Sequence, residues 1–391
     1  MAYRKFKAQQ IFTGTTMLPD NHVLITDDKG TVEAIIDATE AGDGIEQLNG
    51  ILTPGFINSH CHLELSHMKG LIPEHTGLVD FVFNIVTQRH FAEDEILLAI
   101  QKGEDEMLTN GIVAVGDICN NTLTFAQKQQ QRLAYYNFIE VSGWNPQVAT
   151  TRFEKASEMA AQFAMLHNQY SLSPHAPYSV SDNLWHLLQG HFHGKTVTIH
   201  NQETSFEDDL FTNATGDFIR MYKLMNIENS AFVPTGKSSL QSYFNKMAHA
   251  ANALLVHNTF IKEEDIVYIQ QTMNLPTASE ITSNAFFCLC INANLYIENA
   301  LPPIDLLRKH HCNIVLGTDS LASNHSLNIV DEIRKITAHF PSVPLTEILQ
   351  WATLNGARAL QMDDKLGSFE KGKQPGVVCL SQDLSQVKRM L

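Results

Sequence analysis

The sequence holds no concentration of positive charge. Its 27 Lys and Arg are outnumbered by 42 Asp and Glu, a formal net charge of −15, and no basic run interrupts that balance. A groove that binds nucleic acid through its phosphates is therefore disfavoured. No apolar stretch is long enough to span a bilayer. The opening Met1-Ala-Tyr-Arg-Lys-Phe-Lys is followed by no apolar run of the signal-peptide kind. Cysteine is sparse, six in 391 residues, with no C-x-x-C pair. Cys61, Cys119, Cys288, Cys290, Cys312 and Cys379 read as reduced thiols of a cytoplasmic protein. Cys288-x-Cys290 reads as two small residues on one face of a buried strand rather than a metal pair. Fixed-period repeats and low-complexity segments are also missing.

What is present is a soluble globular composition, 44% hydrophobic and 18% charged, in a chain too long for one small core. Residues 1–52 alternate apolar and polar with turn signals, and Val23–Thr26 and Thr31–Ile36 read as short antiparallel strands. Residues 366–391 have the same character. Neither end can bury a core alone, so the two are expected to pair into one small β-sandwich domain. Between them, residues 53–365 alternate short β-rich runs with longer helical patterns. The runs are Leu52–His62, Ile112–Asp117, Tyr136–Val141, Tyr170–His175, Thr196–His200, Ala253–His257, Ala285–Ile291 and Ile314–Asp319. This α/β pattern predicts a (β/α)8 TIM-type barrel. Gly111 and Gly356 fall at or near helix ends, where a left-handed residue is useful.

In such a barrel the functional side chains project from the C-terminal ends of the strands. Those ends carry His60 and His62, Asp117, Glu140, His175, His200, His257 and Asp319. On a strand, residues i and i+2 face the same way, so His60-x-His62 aims two imidazoles at one point. Taken alone, an H-x-H pair in a chain with 18 histidines carries little weight. The concentration of His and Asp at one level of the barrel carries much more. Three neutral imidazoles and one carboxylate suit zinc or iron(II), and an open position can bind water and lower its pKa. Asp319 could touch the metal and accept the water's proton, and His257 could orient that water. Glu203, three residues past His200, could shuttle a proton to a substrate nitrogen. Glu207, Asp208 and Asp209 read as the solvated N-terminus of a helix, where acidic residues are favoured.

The ordered set Pro54-Gly-Phe-Ile-Asn-Ser-His60-Cys-His62, Ser173-Pro-His175-Ala-Pro-Tyr178, His200-Asn-Gln-Glu203, Val256-His257-Asn, Gly317-Thr-Asp319-Ser and Ala352-Thr-Leu-Asn-Gly-Ala resembles the metal-dependent amidohydrolase superfamily. The resemblance runs over nearly the whole chain. It implies hydrolytic attack by a metal-bound hydroxide, with His60, His62, His200 and Asp319 holding one divalent metal ion, Zn2+ first and Fe2+ second. Within the superfamily the pattern is similar to mononuclear aminohydrolases. That implies His257 on the nucleophilic water and Glu203 as proton donor to the ring nitrogen beside the attacked carbon. A carboxylated fourth-strand lysine, used by binuclear members, is missing, and His175 stands there instead, facing substrate. His62-Leu-Glu-Leu-Ser-His67 and Gly317-Thr-Asp-Ser-Leu-Ala-Ser-Asn324 resemble, more narrowly, aminofutalosine deaminases and their relatives.

The function implied is hydrolytic deamination of a purine-like nucleoside or related heterocycle, with 6-amino-6-deoxyfutalosine, of menaquinone biosynthesis, as the specific candidate. The alternatives are a hydrolase of the same fold acting on a cyclic amide, imidazolone or chlorinated ring, and a metal-binding relative without catalysis. His175, Tyr178, Glu64, Ser66 and Ser320 lie beside the inferred metal level as substrate contacts. Trp144, Ser238 and Arg220 read as packing or surface. The partner is a small molecule, with no nucleic acid or membrane, and the resemblance leaves a homodimer open. Two departures stand out. Cys61 occupies a position where relatives often carry another small residue, and Gly372-Lys-Gln-Pro-Gly376 lacks an acidic residue common there.

Overall fold

The computed structural model describes residues 3–166, 168–273 and 284–391. Eight parallel strands form its centre: β1 Phe56–Cys61, β2 Ile112–Cys119, β3 Ala134–Val141, β4 Gln169–Pro174, β5 Thr196–Asn201, β6 Asn252–His257, β7 Asn284–Leu289 and β8 Asn313–Leu316. They hydrogen-bond as two arcs, β1 to β4 and β5 to β8. The arcs close where His200 N donates to His175 O at 2.9 Å and where Thr318 N and Asp319 N both donate to His60 O at 3.1 Å. An α/β barrel results, as the alternation of runs predicts.

The strands are buried on both faces, which is why they read as near-continuous apolar runs. In β6, Leu254 and Val256 pack into the barrel interior with Ile57, Ile118 and Phe138. Ala253 and Leu255 pack outward under the helices. This period of two is the ordinary strand alternation.

The two chain ends do share a small domain. Val378–Leu380 pairs antiparallel with Ile51–Thr53, and Val32 N donates to Lys373 O at 2.8 Å. One sheet holds Tyr3–Lys7 and His22–Asp27, the other Gln10–Phe12 and Ile51–Thr53. Phe6, Ile11, Leu24, Leu52 and Val377 form the core between them. The single run Leu52–His62 therefore splits at Pro54-Gly55: its first part belongs to the small domain and its second is β1.

Gly111, at φ +77°, ends the helix Glu93–Thr109 in the left-handed conformation expected of it. Gly356 does not. Its φ is −60°, inside a continuous helix. Glycine is needed there because a Cβ would stand 2.7 Å from that of Ile57 on β1. The position answers to close packing, not to a turn. Among the described residues no helix is long and apolar enough to cross a membrane.

Candidate active site

The C-terminal ends of the strands bring four donors together at the mouth of the barrel. One side-chain donor each of His60, His62, His200 and Asp319 lies within 4.8 Å of the other three. Asp319 Oδ1 is 3.5 Å from His60 Nε2 and 3.4 Å from His62 Nε2, and His62 Nε2 is 3.4 Å from His200 Nε2. Tetrahedral ligands about 2.0–2.2 Å from a zinc-sized ion stand ~3.4 Å apart. Both ring nitrogens of His60 are buried with no hydrogen-bond partner, a costly state for polar atoms unless a cation takes a lone pair. The donors fit one metal ion.

Neighbouring groups set the state of each donor. His175 O accepts from His200 Nδ1 at 2.7 Å, which fixes the tautomer and leaves Nε2 free as a ligand. Burial, followed by the field of the surrounding imidazoles, pushes the His200 pKa well below its ordinary value. Burial also lowers the pKa of His62. Neutral imidazole is the ligating form. Burial opposes ionisation of Asp319, but the imidazoles around it, His60 first and then His62 and His257, outweigh that and hold its pKa low. Its other oxygen accepts from Ser323 Oγ at 2.5 Å.

The backbone departs from strand geometry here. Asp319 has φ +57°, Gln202 +43° and His257 +74°. Such values are uncommon outside glycine and cluster at functional sites. At His257 the turn breaks the alternation that Leu255 would have set, and the ring swings toward the mouth. Asn294 Oδ1, on the helix Ile291–Glu298, accepts from His257 Nδ1 at 2.8 Å. Nε2 is left 3.5 Å from Glu203 Oε1. Burial, reinforced by Asp319 and Glu298, pushes the Glu203 pKa well above the usual carboxyl range.

A cavity of about 560 Å³ opens over this cluster. Glu64, His175, Tyr178 and Ser320 all line it. Glu64 is buried, accepts from Asn120 N at 3.0 Å, and has its pKa pushed up to about 8, chiefly by burial. His175 Nδ1 is 2.9 Å from Ser179 Oγ. Tyr178 stacks on Phe218 with centroids 3.9 Å apart. Trp144, read as packing, also lines the cavity while stacked on Tyr222.

Other sequence candidates have different places. Ser66 Oγ donates to Leu63 O at 2.7 Å beneath the site and does not line the cavity. Ser238 caps a short helix, and Arg220 pairs with Asp80 and Asp217 at the surface. Asp117 is not among the four donors. Its carboxylate binds buried Lys128 at 2.5 Å and accepts from Leu63 N at 2.8 Å, steadying the backbone directly after His62. Glu140 lies near His175 and His200, but His200 Nδ1 is already committed to a carbonyl, so that trio offers no second metal site.

Sequence reasoning missed Asn294 and Asn120, which belong to no motif. It also missed Ser323, although this residue lies inside the Gly317–Asn324 motif.

Glu207 corrects another expectation. Asp209 is exposed as a helix N-terminus should be, but Glu207 is fully buried, accepting from Ser239 Oγ at 2.6 Å and Gln202 N at 3.0 Å. Burial pushes its pKa from 4.5 to about 8. The folded protein thus keeps a proton that the unfolded chain releases, and stability falls as pH rises from 4.5 towards 8. In Glu207→Gln that loss disappears. Unfolding curves should show the variant gaining on wild type by up to about 1.4 kcal/mol per pH unit across this window. A pH-independent difference would mean that Glu207 ionises normally.

A family model of the amidohydrolase family matches residues 51–389. An adenosine deaminase of Helicobacter pylori is 26% identical over 337 residues, covering 83% of this chain and 78% of the relative. An aminodeoxyfutalosine deaminase of a Nitratiruptor species is 25% identical over 404 residues, covering 98% and 93%. Among solved structures, the Helicobacter pylori aminofutalosine deaminase in complex with methylthio-coformycin superposes with a TM-score of 0.78, 21% identity and 97% and 92% coverage. The match runs from the strand before β1 through the strand that returns the C-terminus to the small domain, taking in all four donors on the way, and on it the chain belongs to the amidohydrolase family.

Proposed function

We propose that this protein is a zinc-dependent deaminase that replaces the exocyclic amino group of a purine-like nucleoside with oxygen and releases ammonia. One observation carries the reading. A buried carboxyl whose pKa is driven up by burial, Glu203, stands 3.5 Å from an oriented imidazole, His257, beside a four-donor site. Proton donor and proton acceptor side by side are what addition of water across a C=N bond requires. The names of the relatives at 24–26% identity support the same class.

His60, His62, His200 and Asp319 would hold the metal. When bound it supplies Lewis acidity that lowers the pKa of water towards neutrality. The chain's own groups do the rest. His257, with Nδ1 committed to Asn294, presents Nε2 to the attacking water and, together with Asp319, takes its proton. Glu203 gives a proton to the ring nitrogen next to the amino-bearing carbon as the carbon–oxygen bond forms. The proton held by His257 and Asp319 passes to the amino group, the carbon–nitrogen bond breaks and ammonia leaves, while the proton of the new hydroxyl returns to Glu203 and leaves a ring carbonyl behind. His175, Tyr178, Glu64 and Ser320 contact the bound nucleoside.

The narrower substrate we propose is 6-amino-6-deoxyfutalosine, supported by the near-complete overlap with the Nitratiruptor relative. It would place the reaction in menaquinone biosynthesis. The test is ammonia release by metal-analysed protein from adenosine, its 5′-substituted analogues including 6-amino-6-deoxyfutalosine, guanine and cytosine. Release from that analogue alone establishes the narrow reading. Release from another base keeps the mechanism and changes the substrate. No ammonia from any of them, with metal bound, rejects deamination.

A further inference from the structure

Arg89, Arg152 and Lys155 all line the active-site cavity. Arg89 and Lys155 also line a second cavity of about 360 Å³. Glu64 and Asn120 line both as well, so the two spaces share a wall. The three cations come from different parts of the barrel. Arg89 ends the helix Leu78–Gln88, while Arg152 and Lys155 lie three apart on the helix Ala149–Ala164 and so share a face. All three are exposed, whereas the four metal donors are buried. The cations therefore belong to the outer part of the cavity and the donors to its floor.

In its pairing this set differs from most of the chain's arginines, though not from most of its lysines. Arg4, Arg132, Arg220, Arg308 and Arg334 each pair with a carboxylate. Among the described residues, Arg89, Arg152 and Lys155 form no ion pair, although acidic residues outnumber basic ones by 42 to 27. Carboxylates that line the same cavity are engaged elsewhere: Glu64 with Asn120 N, Glu140 with Asn120 Nδ2, and Glu228 with Ser230 N. Three like charges converging on one opening repel one another unless an anion joins them. Guanidinium and ammonium groups together suit an oxyanion, which accepts several charge-assisted hydrogen bonds.

We propose that the outer cavity is an anion subsite, in which Arg89, Arg152 and Lys155 bind a carboxylate or phosphate carried by the substrate away from its reacting ring. The second cavity takes the arm that bears it. The inference rests on the deaminase reading for the identity of the ring, but not for the presence of the subsite.

The test compares wild type with Arg89→Gln/Arg152→Gln/Lys155→Gln. A control, Lys365→Gln/Lys371→Gln/Lys388→Gln, makes the same change of net charge far from the cavity. Adenosine, adenosine 5′-monophosphate and adenosine 5′-carboxylate serve as substrates. The ratio of kcat/KM for an anionic substrate to that for adenosine should fall roughly tenfold or more in the cavity variant and hold in the control. Whichever anion shows the fall identifies carboxylate or phosphate as the group received. An unchanged ratio for both anions, or an equal fall in the control, overturns the subsite. Calorimetric binding of inosine 5′-monophosphate and inosine to the metal-loaded proteins is the second readout. If no substrate releases ammonia but the monophosphate binds more tightly than inosine only when the three cations are present, the subsite stands and the deaminase reading falls. Equal binding in wild type and cavity variant removes the subsite even if deamination is found.

Discussion

Glu203→Gln is expected to lower turnover by roughly 10² or more, the scale of general acid–base effects, while bound metal and fold stay as in wild type. Glutamine is nearly isosteric and keeps a hydrogen-bonding end, so what is lost is the transferable proton. The position makes the effect large. Glu203 is buried, its pKa is driven up by burial and by Asp319 and Glu298, and the oriented His257 imidazole stands 3.5 Å away. Bulk water is poorly placed to substitute for it. Steady-state ammonia release alongside metal analysis and a melting curve checks the prediction. A near wild-type rate would remove Glu203 from the mechanism; a loss of metal would make it a structural residue instead.

Asp319→Ala should abolish both metal retention and turnover. Asp319 Oδ1 faces two imidazoles, at 3.5 Å from His60 and 3.4 Å from His62, and no other carboxylate belongs to the four-donor group. Without it, three neutral imidazoles remain to hold a divalent cation with no compensating charge. The variant should therefore lose stoichiometric metal on dialysis, and excess zinc should not restore activity. Ser323→Ala, which removes only the hydrogen bond to Asp319 Oδ2, should weaken metal retention by about 10- to 100-fold, as changes behind a ligand commonly do. Asp319→Ala protein that keeps its metal through dialysis would show that the three histidines suffice and that the carboxylate serves only the proton.

Much of this site is legible in the sequence because its residues sit at the ends of short β-rich runs. His60, His62, His200 and Asp319 meet at one point since a barrel sets all its strand ends at one level. The same rule overreached at Asp117. That side chain occupies an equivalent position, yet buried Lys128 captures it, and nothing local to Asp117 announces a lysine eleven residues on. Glu207 misled for a similar reason. An acidic residue in the first turn of a helix is ordinarily solvated, but the helix Ser239–Tyr243 covers this one with Ser239. Gly356 mimicked a helix end because glycine serves both a left-handed turn and a close approach.

The sequence by itself determined the alternation of strand and helix, the pairing of the two ends, and the residue types gathered at the mouth of the barrel. Each depends on periodicity or on spacing within one element, and a single strand or helix enforces those locally. Only the tertiary structure decided how the gathered residues are used. Asn294 selects the tautomer of His257 across 37 residues, and His175 O does so for His200 across 25. Arg89 reaches the cavity of Arg152 and Lys155 from a helix on another part of the barrel. Tautomer, protonation and charge clustering depend on distances of a few ångströms between groups far apart in the chain. Hydrogen bonding and desolvation act over those distances only once the barrel has closed.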